Sequence, residues 1–243
     1  MKARIKFRKY GVLRFIGHLD VMRFFQKVMR RADIPIAFTG GYSPHMIMSF
    51  ASPLGIGLES DGEYLDIELT SPIESREAVR RMNEVSVEGI EILSFRQIAE
   101  EKKMTGMTIL AGADYLIRPN GFVWSEPMRQ YFSEFMAQDM ISVIKQTKRS
   151  ERMIDIRPLI YRWEFCEEGL RVQTAAGSSE NLKPDLIMDT FVKYMKQQTG
   201  EPRTEPSFSY KRLEMYADVG DGQTLQLIPL ADLGHDIIKE NLS

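Results

Sequence analysis

The sequence is poor in cysteine and has no long apolar run. Cys166 is the single cysteine among 243 residues, which excludes an internal disulfide and any thiolate cluster made by this chain alone. No apolar run reaches the roughly 18 residues that a membrane-spanning helix needs. The opening residues, MKARIKFRKY, alternate basic and apolar side chains and lack the continuous apolar core of a signal peptide. We therefore predict a cytoplasmic protein without a membrane segment.

Several catalytic motifs are also missing. The patterns GxSxG, GxxxxGK[ST] and GxGxxG do not occur, which argues against hydrolase, nucleotide-loop and dinucleotide chemistry. Neither HxxxH nor CxxC spacing is present, so we predict no metal site and no cofactor. A hydrophobic content of 43% with 27% charged residues is that of a folded globular protein.

Charge is distributed unevenly along the chain, although the net charge is only −2. Residues 1–31 contain ten basic side chains and one acidic side chain, Asp20, which sum to +9. Residues 32–140 contain 17 acidic and 8 basic side chains, which sum to −9. This asymmetry indicates a polyanion partner for the N-terminal segment.

The first hundred residues predict a β-α-β-β-α-β order. Apolar and basic side chains alternate in residues 2–8, as in a strand with one apolar and one cationic face. Helical spacing begins near Gly17 and ends before Pro35, with Arg23, Lys27 and Arg30 along one side. IPIAFT, MIMSFAS and EYLDIELTS follow as strands, ESREAVRRMNEV as a helix and GIEILSFRQIA as the closing strand.

The sequence pattern of the second half predicts a similar order of helices and strands, although the residues themselves show no visible repeat. The fold class is therefore α+β, with two ferredoxin-like (βαββαβ) halves, antiparallel sheets and helices on one face. We expect domains at residues 1–100 and 101–217, and a C-terminal extension at 218–243.

A cationic, uncovered sheet face suits phosphate backbones, and nearby aromatic rings can stack on unpaired bases. Ordinary solvated charge on an edge strand is the alternative explanation. A second basic cluster precedes the strand at IDIRPLI. The predicted nucleic-acid contacts are Lys2, Arg4, Lys6, Arg8, Arg14, Arg23, Lys27, Arg30, Gly40, Gly41, Tyr42, His45, Lys148 and Arg149.

The stretch GGYSPHMIMSFASPLGIGLESDG concentrates glycines around one short apolar run. Gly40 and Gly41 can adopt positive φ or form an anion-binding nest, although a tight connection explains them equally well. His18, His45 and Asp20 are candidate catalytic residues, because paired imidazoles can perform general acid–base chemistry on a ribose hydroxyl. Capping and loop hydrogen bonding are the structural alternatives for the two histidines.

The segments LRFIGHLD, RRADIP, GGYSPHMIMSFASPLGIGLESDGEYLD and IDIRPLI resemble the bacterial radical-SAM-linked proteins, which also occur fused to radical SAM enzymes. The resemblance covers most of the chain and implies a radical SAM iron–sulfur enzyme as partner. It supplies no catalytic residues. A fainter similarity to RNA-processing endonucleases of CRISPR systems rests on presumed fold alone.

Three hypotheses follow. The first is a non-catalytic RNA-binding module that presents structured RNA, tRNA or rRNA, to a radical SAM enzyme. The second is a metal-independent ribonuclease or RNA-modifying enzyme that uses His18 and His45. The third is a protein-interaction subunit of the radical enzyme that makes no RNA contact.

Overall fold

A computed structural model describes residues 1–146, 151–200 and 206–238. Within them the chain is an α+β protein with mainly antiparallel strands, as predicted. None of the helices in these ranges is both long and apolar enough to cross a membrane. The elements in chain order are β1 (Lys2–Lys9), α1 (His18–Arg31), β2 (Met48–Phe50), β3 (Glu59–Glu68), α2 (Ser75–Glu84), β4 (Ile90–Ile98), α3 (Gly106–Ile109), β5 (Leu110–Pro119), α4 (Glu126–Met136), β6 (Ser142–Gln146), β7 (Glu151–Asp155), β8 (Ile160–Cys166), β9 (Gly169–Ala175), α5 (Pro184–Thr199), β10 (Phe208–Asp218) and β11 (Leu227–Pro229).

The chain divides into two compact units. Unit 1 is Met1–Gly112 with Arg212–Ser243, and unit 2 is Ala113–Lys211. This differs from the predicted domains, because residues 218–243 belong to unit 1 instead of forming a separate extension. The reason is contact over long sequence separations: β11 pairs with β10, and His235 pairs with Gln97 of β4.

Unit 1 contains a sheet in which β1 lies between β4 and β3 and is antiparallel to both. Strands β2 and β10 both lie beside β3. Apolar and basic side chains alternate along β1, and as this pattern predicts, Ala3, Ile5 and Phe7 are buried on one face of the strand. Helix α1 packs on this face, where the rings of Phe25 and Phe7 are 4.6 Å apart. Helix α2 adds Met82 and other apolar residues to the same core.

Unit 2 has the strand order β10-β5-β9-β8, where β5 and β10 each have residues in both units. Helices α4 and α5 supply an aromatic core in which the rings of Phe132 and Phe191 are 5.0 Å apart. Strands β6 and β7 pair only with each other in the described part of the chain. The sequence predicted β6 as a strand of the second half and did not predict β7. Local pairing of Ser142–Gln146 with Glu151–Asp155 therefore adds a hairpin to the predicted order.

Candidate nucleic-acid interface

The predicted cationic face of β1 exists, but its side chains are paired with carboxylates or carbonyls. Arg4 has a relative exposure of 1%. Its guanidinium makes a two-pronged ion pair with Asp66, at 2.7 Å from Nε to Oδ1 and 2.9 Å from Nη2 to Oδ2. It also donates to the carbonyls of Leu230 and Met104. These contacts use four of the five N–H donors of Arg4, and the side chain is buried, so its guanidinium is not accessible to a phosphate.

Lys6 and Lys2 also have hydrogen-bond partners within the protein. The Lys6 ammonium lies 2.5 Å from Oε2 of Glu214, and the hydroxyl of Tyr64 donates to Oε1 of the same carboxylate at 2.6 Å. Burial and the neighbouring Glu214 carboxylate raise the pKa of Tyr64 far above its usual range. Lys2 donates to the backbone carbonyl of Glu100 at 2.7 Å.

Arg8 and Arg14 lie nearer to solvent, and they too are paired with carboxylates. Arg8 pairs with Asp61 at 2.9 Å and with Glu91 at 3.2 Å, and its hydrogen bonds to these carboxylates raise the pKa of the guanidinium. Arg14 lies 3.3 Å from Glu59. The prediction of an uncovered cationic strand face is therefore corrected: carboxylates of β3, β4 and β10 neutralise it, and carbonyls near residues 104 and 230 cover part of it.

The cations of α1 have the opposite environment. Val21, Phe25, Val28 and Met29 are buried, so the other side of the helix faces solvent. Four exposed cations on that side form what we call the α1 basic face: Arg23, Lys27, Arg30 and Arg31.

Three members of the α1 basic face have no carboxylate partner among the residues that the structure describes. Arg23 is paired with Asp20 at 3.5 Å. Within the described ranges, Lys27, Arg30 and Arg31 make no hydrogen bond or ion pair. Residues 18–31 carry four basic side chains and one acidic side chain, a net charge of +3. This is the one region of the predicted interface where positive charge is both exposed and uncompensated among the described residues.

The predicted glycine loop is the tip of a small hairpin, here called the 38–46 hairpin. Phe38 pairs with Met46, and the Thr39 amide donates to the carbonyl of His45 at 2.9 Å. Gly41 has φ of +97°, a conformation that favours glycine at the turn. Gly40 and Gly41 are exposed, as predicted for a contact loop.

The aromatic residues of this hairpin point to solvent. Tyr42 has a relative exposure of 110%, and Phe38 has 48%. The hairpin begins seven residues after α1 ends. Both features belong to unit 1, so a basic helix and an exposed aromatic ring follow one another closely along the chain.

The two histidines do not form a pair. The His18 ring packs edge-on against Phe50 with centroids 5.0 Å apart, and His45 Nδ1 is 3.1 Å from the Thr39 hydroxyl. No contact joins the two imidazoles in the part of the chain that the structure describes, and Asp20 is paired with Arg23. No group of three potential metal-binding side chains occurs in the same part. Lys148 and Arg149 lie outside the described residues.

Sequence reasoning missed a buried charge cluster in unit 1. Arg212 makes two hydrogen bonds to Glu63 and donates to the Ser52 carbonyl at 2.7 Å. Lys9 is 98% buried nearby, and desolvation lowers the pKa of its ammonium. The sequence did contain an indication of this cluster. Side chains alternate between the two faces of a strand, so Glu63 lies on the same face of β3 as the apolar residues Leu65 and Ile67.

Comparisons with known proteins give a family and a structural likeness. A family model described as "Uncharacterized protein conserved in bacteria (DUF2344)" matches residues 2–184. A search of curated proteins found no match. A chain in a crystal structure of a Cbf5-Nop10-Gar1 complex is similar with 14% sequence identity and a TM-score of 0.46, over 88% of this chain. This chain spans 48% of that chain.

Proposed function

Because the chain belongs to the DUF2344 family of uncharacterised bacterial proteins, whose description names no activity, we propose a function from the molecule's own surface. The protein is an RNA-binding accessory module that presents structured RNA to a radical SAM enzyme. The RNA contact is made by the α1 basic face and the 38–46 hairpin, not by β1.

The observation that carries this proposal is that Lys27, Arg30 and Arg31, on one helix face, have no partner within the described part of the chain. Exposed cations without carboxylate partners are available to replace the counterions of a phosphate backbone. The cations of β1 are not available, since a phosphate would have to displace carboxylates that already hold them. Tyr42 and Phe38 then offer rings on which an unpaired base can stack, which double-stranded nucleic acid does not present.

The test measures binding of unfractionated bacterial tRNA, over a range of salt concentrations, to the wild type and to a triple variant, Lys27→Ala, Arg30→Ala and Arg31→Ala. We expect the triple variant to bind about 10- to 100-fold more weakly at low salt. The slope of log K against log salt should become shallower by about 2, because fewer counterions are released. The matched control removes three exposed cations of unit 2, Arg171, Lys183 and Lys193, and should bind tRNA like the wild type. Equal losses in both triple variants would contradict the proposed interface.

The radical SAM partner rests on the sequence resemblance of segments such as GGYSPHMIMSFASPLGIGLESDGEYLD. With Cys166 as its single cysteine, this chain cannot hold an iron–sulfur cluster by itself, so the cluster has to belong to the partner. Affinity purification from the native bacterium, with and without nuclease, tests this. We expect a radical SAM enzyme to co-purify in both cases if the proteins touch, and only without nuclease if RNA alone joins them.

An exposed apolar patch in unit 1 favours direct protein contact as a second role. Its members are Val12, Phe15, Leu19 and Ile56, each at least 59% exposed. The Gly57 amide donates to the Arg14 carbonyl at 2.8 Å, which holds the loop around Ile56 against the turn that carries Val12 and Phe15. Large apolar side chains gathered at one surface typically mark a protein interaction site.

The patch can be tested separately from the RNA contact. Phe15→Ser with Ile56→Ser should abolish nuclease-resistant co-purification of the radical SAM enzyme and leave tRNA affinity unchanged. A double variant that still retains the enzyme after nuclease treatment would remove the patch from the proposal.

A further inference from the structure

Strand β8 forms the outer edge of the sheet in unit 2, because it is hydrogen-bonded to β9 on one side only. Within the described ranges, the backbone of residues 162–165 has no hydrogen-bond partner outside β9. A row of unpaired N–H and C=O groups is a template for another strand. The open edge of β8 is therefore a candidate interaction surface, and it lies outside the α1 basic face, the 38–46 hairpin and the apolar patch.

The turn that follows β8 shows which of its backbone groups point toward the open side. Cys166 pairs with Gly169 across a two-residue turn, so these two residues exchange hydrogen bonds. Hydrogen-bonded and non-hydrogen-bonded pairs alternate along an antiparallel ladder, so Glu164 also bonds to β9. The N–H and C=O groups of Phe165 and Trp163 then point away from β9 and are available to a further strand.

The edge strand of the sheet in unit 1 is closed by comparison. The side-chain amide of Asn83 accepts from the Ile92 N–H at 2.8 Å and donates to the Ile92 carbonyl at 2.9 Å, as a neighbouring strand would. Farther along β4, Gln97 exchanges two backbone hydrogen bonds with His235. Proteins normally protect strand edges in such ways against pairing with another chain. Strand β8 has no cap of this kind among the described residues, and it contains neither proline nor lysine, which also discourage pairing.

One face of β8 is aromatic and only partly covered. The centroids of the Trp163 and Phe132 rings are 5.3 Å apart, and those of the Trp163 and Phe165 rings are 6.1 Å apart. Trp163 and Phe165 thus belong to the aromatic core of unit 2, yet both keep some exposed surface. A strand added beside β8 would cover more of these rings, and burial of aromatic surface stabilises an association.

The opposite face of β8 carries one charge of each sign. Arg162 and Glu164 are two residues apart, and their side chains are 72% and 47% exposed. Nη2 of Arg162 lies 3.2 Å from Oε2 of Glu164. An exposed ion pair of this kind contributes little within a single chain, so both side chains remain available to groups on a neighbouring strand.

These charges select one register for pairing of β8 with a second β8. With a two-fold axis at Trp163, the outward backbone groups of the two Trp163 residues bond to each other, and each Arg162 lies opposite Glu164 of the partner subunit. An axis at position 162 would place Arg162 opposite its own copy, and an axis at position 164 would do the same for Glu164. Like charges directly opposite one another are destabilising, so the register centred on Trp163 is favoured.

From the open edge and this self-complementarity we propose that the protein forms a two-fold symmetric dimer by antiparallel pairing of β8 with β8 of a second copy. The sheet of unit 2 then continues from one chain into the other. The same residues occur on both sides of a two-fold interface, as the arginine and glutamate of β8 require.

Sedimentation of RNA-free full-length protein at increasing concentration tests the dimer. We expect the wild type to reach twice the 28.0 kDa mass of one chain within a range of about 1–500 μM. Arg162→Glu and Glu164→Arg each place like charges opposite one another at two points of the symmetric dimer, and each should weaken dimerisation about tenfold or more. Both side chains are exposed, so neither change should unfold the chain.

An equimolar mixture of the two charge-reversed variants distinguishes this interface from other surfaces. Positions 162 and 164 are both acidic in one variant and both basic in the other, so a mixed dimer has opposite charges at every contact and should form at least as well as the wild type. The control Lys193→Glu reverses an exposed cation of α5 and should dimerise like the wild type.

A monomer throughout this range would overturn the inference and leave the edge of β8 to a strand of a different protein. A dimer that both reversals leave unchanged would also overturn it, as would a mixture that does not restore dimerisation. None of these results would alter the tRNA affinities expected of the α1 basic face, so the dimer and the RNA interface fail independently.

Discussion

The clearest difference between sequence and structure at the scale of single residues concerns Arg4. The alternating pattern of residues 2–8 correctly places Arg4 opposite Ala3 and Ile5, because strand period is a local property. It cannot show what lies above that face. The partners of Arg4 at Asp66 and Leu230 are 62 and 226 residues away along the chain, and no local pattern encodes such contacts.

The buried pair of Arg4 and Asp66 should be far more sensitive to substitution than the exposed cations. Asp66→Ala leaves the guanidinium buried without its carboxylate, and we expect a loss of about 3–5 kcal/mol in the free energy of unfolding. Urea denaturation measures this. Arg23→Ala removes an exposed pair with Asp20 and should cost at most about 1 kcal/mol. Similar losses in the two variants would mean that Arg4 is not buried as described.

Tyr64 predicts an alkaline limit to stability. Its pKa is raised in the folded state by burial and by Glu214, so the folded protein keeps the phenolic proton where the unfolded chain, with a pKa of about 10, has lost it. The stabilisation is complete below pH of about 10 and is lost as the pH rises above it. We expect the unfolding free energy of the wild type to fall more steeply between about pH 9 and 11 than that of Tyr64→Phe. Parallel slopes would contradict the assigned burial.

At the scale of elements, α1 is the part of the candidate site that the sequence predicted well. Its apolar spacing fixes which side is buried, and the remaining side must carry Lys27 and Arg30 into solvent. The loops are different, because their conformation depends on distant contacts. IPIAFT was predicted as a strand, yet Ile36 and Phe38 make only isolated bridges on either side of irregular chain.

Gly62 and Gly40, at the two ends of the stretch 40–62, differ in the space that a side chain would find. A Cβ at Gly62 would lie 2.7 Å from the Leu213 carbonyl and from Cα of Glu214, so β3 and β10 could not approach as they do. Gly62→Ala should therefore lower the unfolding free energy by about 1–3 kcal/mol, measured by urea denaturation. Gly40→Ala meets nothing within 4 Å, needs no positive φ, and should be nearly neutral. Equal stability of the two variants would show that β10 does not pack closely on β3.

At the scale of the whole molecule, the structure makes the C-terminal residues part of unit 1. Leu230 and Ile237 are 0% and 4% exposed, and Ile237 exchanges hydrogen bonds with Ser75 at the start of α2. No local pattern joins residues 218–243 to the first hundred, because VGDGQ reads as a turn and nothing near it identifies the strand that receives β11. Contacts of this range are set only when the whole unit assembles.

A pair of truncations tests this assignment. A chain that ends at Asp218 loses the apolar contacts of Leu230 and Ile237 and leaves donors of Arg4 and Arg96 without their carbonyls. Because unsatisfied buried donors and lost apolar burial both destabilise, we expect a fall of about 4 kcal/mol or more in unfolding free energy, or loss of cooperative unfolding. A chain that ends at Ile238 keeps every one of these contacts and is the matched control, expected to unfold like the full chain. If the shorter chain unfolds like this control, residues 219–238 form a separate extension after all, and the cover over Arg4 contributes nothing to the stability of unit 1.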